Sequence, residues 1–367
     1  MTQARALVFD QVGSPLRMQS FPLPALLEGE ALAQVELCTL CGSDLHSLHG
    51  RRPTPTPTIL GHEILGRIVE FAARGEPPSD AEGKLLTPGE RVVWMLAVGC
   101  GQCGRCQGGL PQKCLRLFKY GHEAIRPEIA LSGGLATHVH LRAGTAVFRV
   151  PADLPDVVAC PASCATATVM AAYRQAGEVA HKTVLVQGAG MLGLTAAAVA
   201  QSRGARHIVV SDPVPQRLEL AKRFGATHLL PAAQNAVEAA RLFQSVVGIE
   251  GADIALEMSG AAEAIETGIG VLNLSGRSVW VGSVFPGRPA QVDAETVVRR
   301  LLTITGVHNY IPQDLRDALA FLQAPHTRYP FAELVQPIFP LSEVPAALTH
   351  FPQGKAARVG VRPDTAG

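Results

Sequence analysis

The stretch Val184-Leu-Val-Gln-Gly-Ala-Gly-Met-Leu-Gly193 most constrains the fold, because it sets three glycines between two segments of different hydrophobic period. Thr183 to Gln187 form an apolar run of strand length, and Leu192 to Arg203 carry apolar residues at helical spacing. Gly188, Gly190 and Gly193 fall at G-x-G-x-x-G spacing. The first glycine permits a tight turn, the second lets the backbone approach a pyrophosphate, and the third lets the helix pack closely on the strand. The N–H groups that open the helix, around Met191 and Leu192, would face that anion. Taken alone, the pattern is also that of an ordinary glycine-rich turn. Asp212 weighs against the plainer reading. It stands 19 residues past Gly193, at the end of the apolar strand His207–Ser211. A carboxylate there accepts from ribose hydroxyls and repels a 2′-phosphate, which predicts NAD rather than NADP. Arg217, five residues on, either covers the adenine or ribose or is a solvated helix arginine.

The alternation continues with a helix over Pro215–Phe224 and a strand over Ala252–Glu257, the pattern of a parallel sheet with helices on both faces. Upstream, β-branched and aromatic residues punctuated by Gly and Pro predict short strands at Gln34–Leu37, Ile64–Phe71, Glu90–Met95, Thr137–Leu141 and Val147–Val150. After Thr305 the pattern breaks, and Pro312 opens a helix through Leu322. A length of 367 residues suits two domains. The expected division is a mostly β domain over 1–165, with a metal lobe at 99–115, a doubly wound α/β domain over 166–307, and a return to the first domain over 308–367. The formal charge of +1, with no run of Lys or Arg, lacks the footprint that nucleic acid or an anionic membrane requires. A small-molecule partner and a cytoplasmic chain are expected, since the first residues lack a signal core. Thr183 to Ser202 is uncharged and nominally long enough to span a bilayer, but Gln187, Thr195, Gln201 and the glycines argue against it.

Four of the eight cysteines crowd together as Cys100, Cys103, Cys106 and Cys114, a C-x2-C-x2-C-x7-C pattern interleaved with glycines. Four thiolates close a tetrahedral shell, which marks a structural zinc. An iron–sulfur cluster is the main rival, and a nucleic-acid finger would need a basic reading helix. Elsewhere, Cys41-Gly-Ser-Asp-Leu-His46 and Gly61-His-Glu63 flank a Pro-rich loop, and Cys164 sits in Ser163-Cys-Ala-Thr-Ala-Thr168. A lone Cys or His is more often a buried or surface residue than a ligand. Beside a four-cysteine site and a nucleotide fold, these residues make a borderline-soft set with one position open.

On these motifs the chain resembles the zinc-dependent medium-chain alcohol dehydrogenase family over nearly its whole length. The resemblance implies a GroES-like catalytic domain, a Rossmann cofactor domain, two zinc ions per chain, and a homodimer or homotetramer. It assigns the catalytic zinc to Cys41, His62 and Cys164. Glu63 becomes a carboxylate able to approach the metal, and Asp44 the group that orients His62. It makes Cys100, Cys103, Cys106 and Cys114 the structural zinc site. Cys164 is preferred to Cys160 because Thr168 follows it at the family's spacing for a nicotinamide contact. Cys38 reads as a buried strand residue. Arg358 is implied as a contact to the cofactor pyrophosphate. The implied reaction passes a hydride between an alcohol or aldehyde substrate and NAD, with zinc lowering the alcohol's pKa and Ser43 and His46 relaying the proton.

Lys119-Tyr-Gly-His-Glu123 and Gly306-Val-His-Asn-Tyr310 resemble a bacterial branch of the family associated with phosphonate catabolism. A hydroxyalkyl substrate bearing a phosphonate or other anion would need cationic donors, and Arg51, Arg52, Lys119, His122 and His308 are the candidates. Taken singly, such residues more often face solvent. A sorbitol- or threonine-type dehydrogenase is the nearest alternative. A redox-inactive binding protein on the same scaffold is another, and it predicts lost ligands.

Overall fold

The computed structural model describes residues 3–324, 328–350 and 357–364. The chain divides into two compact units. The first is Met1–Cys164 with Ile311–His326 and Phe331–Gly367, and the second is Ala165–Tyr310 with Thr327–Pro330.

The first unit is built on a seven-stranded sheet. Its order is Val147–Arg149, Arg91–Trp94, Glu63–Phe71, Ala31–Leu40, Arg358–Arg362 and Val335–Pro340, with His138–Leu141 also paired to Ala31–Leu40. Ala31–Leu40 is buried on both faces nearly throughout, as its apolar composition requires, and its neighbours are set by register. Thr39 pairs with Glu63 on one side, and Leu40 pairs with Val359 on the other. One end of the sheet therefore gathers Cys41, His62, Glu63 and Arg358 from three distant parts of the chain. Phe9, Ile64, Trp94, Leu135 and Val359 belong to the core beneath it.

The second unit is a six-stranded parallel sheet in the order His228–Pro231, His207–Asp212, Thr183–Gln187, Ala252–Glu257, Leu272–Trp280 and Thr303–Gly306. Helices Met191–Ser202 and Pro215–Lys222 follow strands Thr183–Gln187 and His207–Asp212 as the alternation predicts. Phe243, from helix Ala236–Val247, packs with Leu185, Val209 and Leu230 in one core. The stretch from Thr183 to Ser202 breaks at Gly188 into a strand and a helix. Among the described residues, no single helix is long and apolar enough to cross a membrane.

Composition concealed several elements. The antiparallel pair Gln3–Phe9 and Arg17–Pro22 is one, and helices Ala236–Val247 and Ala262–Gly270 with strands Leu272–Trp280 and Thr303–Gly306 are others. Leu272–Trp280 contains Asn273, Ser275 and Gly276, a poor strand sequence held by parallel partners on both sides.

Gly188 adopts φ +98°, and a Cβ on Gly193 would collide with the carbonyl oxygen of Gly188. Helix and strand thus touch backbone to backbone at this turn. Gly193→Ala is expected to destabilise the full chain by about 1–3 kcal/mol through overpacking, with loss of NADH binding. Thermal unfolding and a fluorescence titration check this, and a variant as stable as the parent would refute the close contact.

Candidate metal centres and cofactor cradle

Helix Gly42–Leu48 starts where the central strand ends, and Asp44 in its first turn is fully buried. That carboxylate accepts from the backbone N–H of Cys41 at 2.8 Å and of Gly61 at 3.2 Å. It also lies 3.2 Å from His62 Nδ1. With Nδ1–H donated to Asp44, His62 Nε2 is left as the ligand nitrogen. One buried acid therefore fixes two candidate ligands. Ser43 Oγ is 3.3 Å from that same Nε2.

The ligand atoms of Cys41, His62, Glu63 and Cys164 all lie within 4.8 Å of one another. Cys160 is elsewhere. Its thiol is fully buried and donates to the carbonyls of Leu37 and Glu63, both at 3.3 Å. Burial pushes the Cys160 pKa far up, leaving an inert thiol that pins the turn Cys160–Ser163 to the sheet just before Cys164. Cys38 is likewise fully buried, on the central strand.

The electrostatics of the cluster suit a cation. Cys41 is held well below the usual thiol range, first by a hydrogen bond from Cys164, against burial, and then by Arg358 and His62. Burial opposes the charged form of His62, but Asp44 and Cys41 outweigh it and push its pKa up to about 10. Protons thus crowd where a metal would bind, and such a donor set gives them up to a metal ion.

Glu63 is engaged differently. Arg358 Nε lies 2.8 and 3.0 Å from its two oxygens and Nη2 lies 2.8 Å from one, while Thr39 donates to it at 2.5 Å. Arg358 Nη1 donates to the Ala357 carbonyl, and Nη2 approaches Cys41 Sγ at 3.5 Å. The guanidinium is accordingly committed inside the first unit.

The second cysteine group gathers in a loop with two short helical turns, Gly104–Gln107 and Pro111–Lys113. Cys103 Sγ is 3.6 Å from Cys106 Sγ and 3.8 Å from Cys114 Sγ. Bonds of about 2.3 Å directed tetrahedrally give edges of about 3.8 Å, so the thiols fit zinc. Backbone N–H groups of Cys100 and Arg116 donate to Cys114 Sγ, both at 3.2 Å. Donors from Gln102 and Cys103 draw the Cys100 pKa down to about 5.

In the second unit, Gly190 caps helix Met191–Ser202, and a Cβ there would meet nothing within 4 Å. The open space beside a helix N-terminus is what a pyrophosphate needs. Asp212, buried at the end of its strand, accepts from Ala189 N at 2.7 Å and Val214 N at 2.8 Å. It therefore braces the glycine turn as well as offering its remaining lone pairs. Arg217 and Thr168 are half-buried.

Residues 27–152 match the alcohol dehydrogenase GroES-like domain, and residues 192–324 match the zinc-binding dehydrogenase domain. An L-threonine 3-dehydrogenase of Anaeromyxobacter dehalogenans is 34% identical over 295 residues, 78% of each chain. The 5-exo-hydroxycamphor dehydrogenase of Pseudomonas putida is 30% identical over 95% of each. The chain belongs to the zinc-binding medium-chain alcohol dehydrogenases. A solved alcohol dehydrogenase from Thermotoga maritima superposes with a TM-score of 0.91 at 29% identity, covering 99% of this chain and all of that one.

As a member, this zinc-dependent dehydrogenase acts on an alcohol with a nicotinamide dinucleotide, and the reading as a redox-inactive binder falls away. Residues beyond the motifs also shape its site. Glu257, fully buried, accepts from Ser259 N, Ser259 Oγ, Gly260 N and Gly282 N, tying together the ends of two neighbouring strands. A Cβ on Gly188 would press on Ser259, so this clamp backs the glycine turn. The only sequence signal was an acid closing an apolar strand before Ser-Gly.

The substrate candidates separate. Arg51 is exposed, and His308 is exposed in the second unit. Arg52 and Lys119 are half-buried in the first unit, and His122 is buried with its ring 5.0 Å from that of His62. Burial, then His62, Arg52 and Lys119, hold the His122 pKa well below its ordinary value, so this imidazole is neutral. His46 is shifted down by burial and then by Arg51.

Removing one partner of a buried ion pair strands the other's charge. Arg358→Met is therefore expected to cost about 3–5 kcal/mol in urea unfolding of the zinc-loaded chain. Adding Glu63→Gln should recover much of that loss, and equal stability of single variant and parent would refute the coupling.

Proposed function

We propose that this dehydrogenase is an NAD-dependent enzyme for hydroxyalkyl substrates that carry an anionic group, a phosphonate or another oxyanion. The observation that carries the reading is the set Arg52, Lys119 and His122 beside the candidate ligand His62. Arg52 Nη1 lies 3.3 Å from His122 Nε2, and neither Arg52 nor Lys119 pairs with a carboxylate among the described residues. Half-buried cations with no carboxylate in direct ion-pair contact cost desolvation energy that a bound anion offsets. None of the relatives described above is named for a phosphonate, so that choice of anion rests on these residues and on the stretches around Lys119 and His308. The threonine-type alternative has the 34% identical relative in its favour, and L-threonine also bears an oxyanion.

When bound, zinc supplies a Lewis acid and the dinucleotide a hydride acceptor. The chain's own residues do the rest. Asp44 orients His62, Ser43 and His46 carry the released proton outward, and Asp212 favours a ribose without a 2′-phosphate. Thr168, Gly188, Gly190, Met191, Leu192, Gly193 and Arg217 are assigned to the cofactor. We read the enzyme as a cytoplasmic homodimer or homotetramer. Exposed Leu274, Val298 and Leu301 on the second unit support self-association.

Turnover of 2-hydroxyethylphosphonate, L-threonine, sorbitol and ethanol with NAD tests the substrate reading. The phosphonate should lead, and a clear preference for the neutral polyol overturns it. Burial, reinforced by Arg52, draws the Lys119 pKa down to about 8. Anion binding that needs the ammonium is then full below that pH and lost as pH rises through it. KM for the phosphonate should climb above about pH 8 while KM for ethanol stays flat, and Lys119→Met should abolish the difference.

Ser43→Ala should slow alcohol oxidation with two zinc ions and NADH affinity retained. Undiminished turnover would remove Ser43 from the proton path.

A further inference from the structure

We propose that Thr39 is a positioning residue that, together with Arg358, holds the Glu63 carboxylate back from the catalytic metal and so keeps one coordination position open. This role is the same for every alcohol the enzyme takes.

An oxygen of Glu63 belongs to the group in which the ligand atoms of Cys41, His62, Glu63 and Cys164 all lie within 4.8 Å of one another. A carboxylate is a good zinc ligand, and one bound here would close the shell that a catalytic site leaves open. Distance therefore does not keep Glu63 off the metal, and its hydrogen bonds must. Arg358 Nη2 donates to Oε1 at 2.8 Å. The single Nε hydrogen of Arg358 is divided between Oε1 at 3.0 Å and Oε2 at 2.8 Å. Thr39 Oγ1 donates to Oε2 at 2.5 Å. Thr39 thus supplies Oε2 with the one donor it does not share, and this is the oxygen that a cation draws away most easily once the hydroxyl is gone.

The strand fixes that hydroxyl. Thr39 stands directly opposite Glu63 across the antiparallel pair Ala31–Leu40 and Glu63–Phe71. Its neighbour on the other side, Gly360, has no side chain to compete for it. β-branching limits the rotation of the Thr39 side chain. The other polar atom close to Oγ1 is Cys160 Sγ at 3.6 Å, and the Cys160 thiol donates to the carbonyls of Leu37 and Glu63. A short bond to a carboxylate outcompetes a long one to sulfur, so the Thr39 O–H is committed to Glu63. Leu37, Cys38, Thr39 and Leu40 are all fully buried, and Thr39 is the one hydroxyl among them. An apolar side chain would fill that place in the sheet equally well, and what it could not do is donate to Glu63.

The test uses the full chain with cobalt(II) in place of the catalytic zinc, whose visible absorption bands report the ligands around the metal. Thr39→Val keeps the shape of the side chain and removes the hydroxyl. It should alter the cobalt bands and weaken the binding of imidazole to the metal about tenfold or more, because imidazole must then displace Glu63. Thr39→Ser keeps the hydroxyl, and it should retain the parent's bands with imidazole affinity within about threefold. A role in packing alone would lower the thermal midpoint and move neither reading. Unchanged bands and unchanged imidazole affinity in T39V therefore overturn the proposal and leave Arg358 as sufficient restraint, and tighter imidazole binding overturns it too. Should T39V fail to take up cobalt, Thr39→Ala is compared with T39S, since those two differ only in the hydroxyl. Altered bands and weaker imidazole binding in T39A support the role, and identical readings in the two overturn it.

Discussion

Glu63 accepts from Arg358 across 295 residues of sequence, and much else in the first unit depends on that buried pair. A carboxylate with no exposed surface is tolerable only when its charge is met and its oxygens are hydrogen-bonded. Arg358 and Thr39 meet both conditions, and they do so because the central strand holds Glu63 on one edge and the strand opened by Arg358 on the other. The same register that neutralises Glu63 delivers Cys41 and His62 to one end of the sheet. Fold stability and the assembly of the ligand set are thus one constraint.

Much of this was legible in the sequence where chemistry forces a spacing. Four thiolates around one ion need short, glycine-rich intervals, and a pyrophosphate needs backbone at a helix start, so Cys100 to Cys114 and Gly188 to Gly193 could be read directly. The strand at Thr183–Gln187 and the helix after it were equally open, since both follow from hydrophobic period. What stayed hidden depends on partners far away in sequence. Leu272–Trp280 is a strand because its neighbours make it one. Glu257 looks like any charged residue until its four donors are seen. Arg358 was assigned to the pyrophosphate by resemblance, and no pattern in the chain announced Glu63 as its counter-ion.

The cationic candidates illustrate the same limit. Five residues offered the right charge type, yet only burial distinguishes Arg52, Lys119 and His122 from the exposed Arg51 and His308. A basic side chain becomes informative when it gives up water without gaining an acid. His122 carries the most information of the three, because its two nitrogens are unequal and the inequality is imposed by a neighbour that can only donate.

The long separation of Glu63 from Arg358 also orders events during synthesis. The ribosome delivers Cys41, His62 and Cys164 well before Arg358, so a nascent chain can present thiolates and imidazole while Glu63 still lacks its counter-ion. Without it, that carboxylate is favoured only while hydrated or protonated. Burying Glu63 before the strand Arg358–Arg362 is in place would strand its charge without a counter-ion.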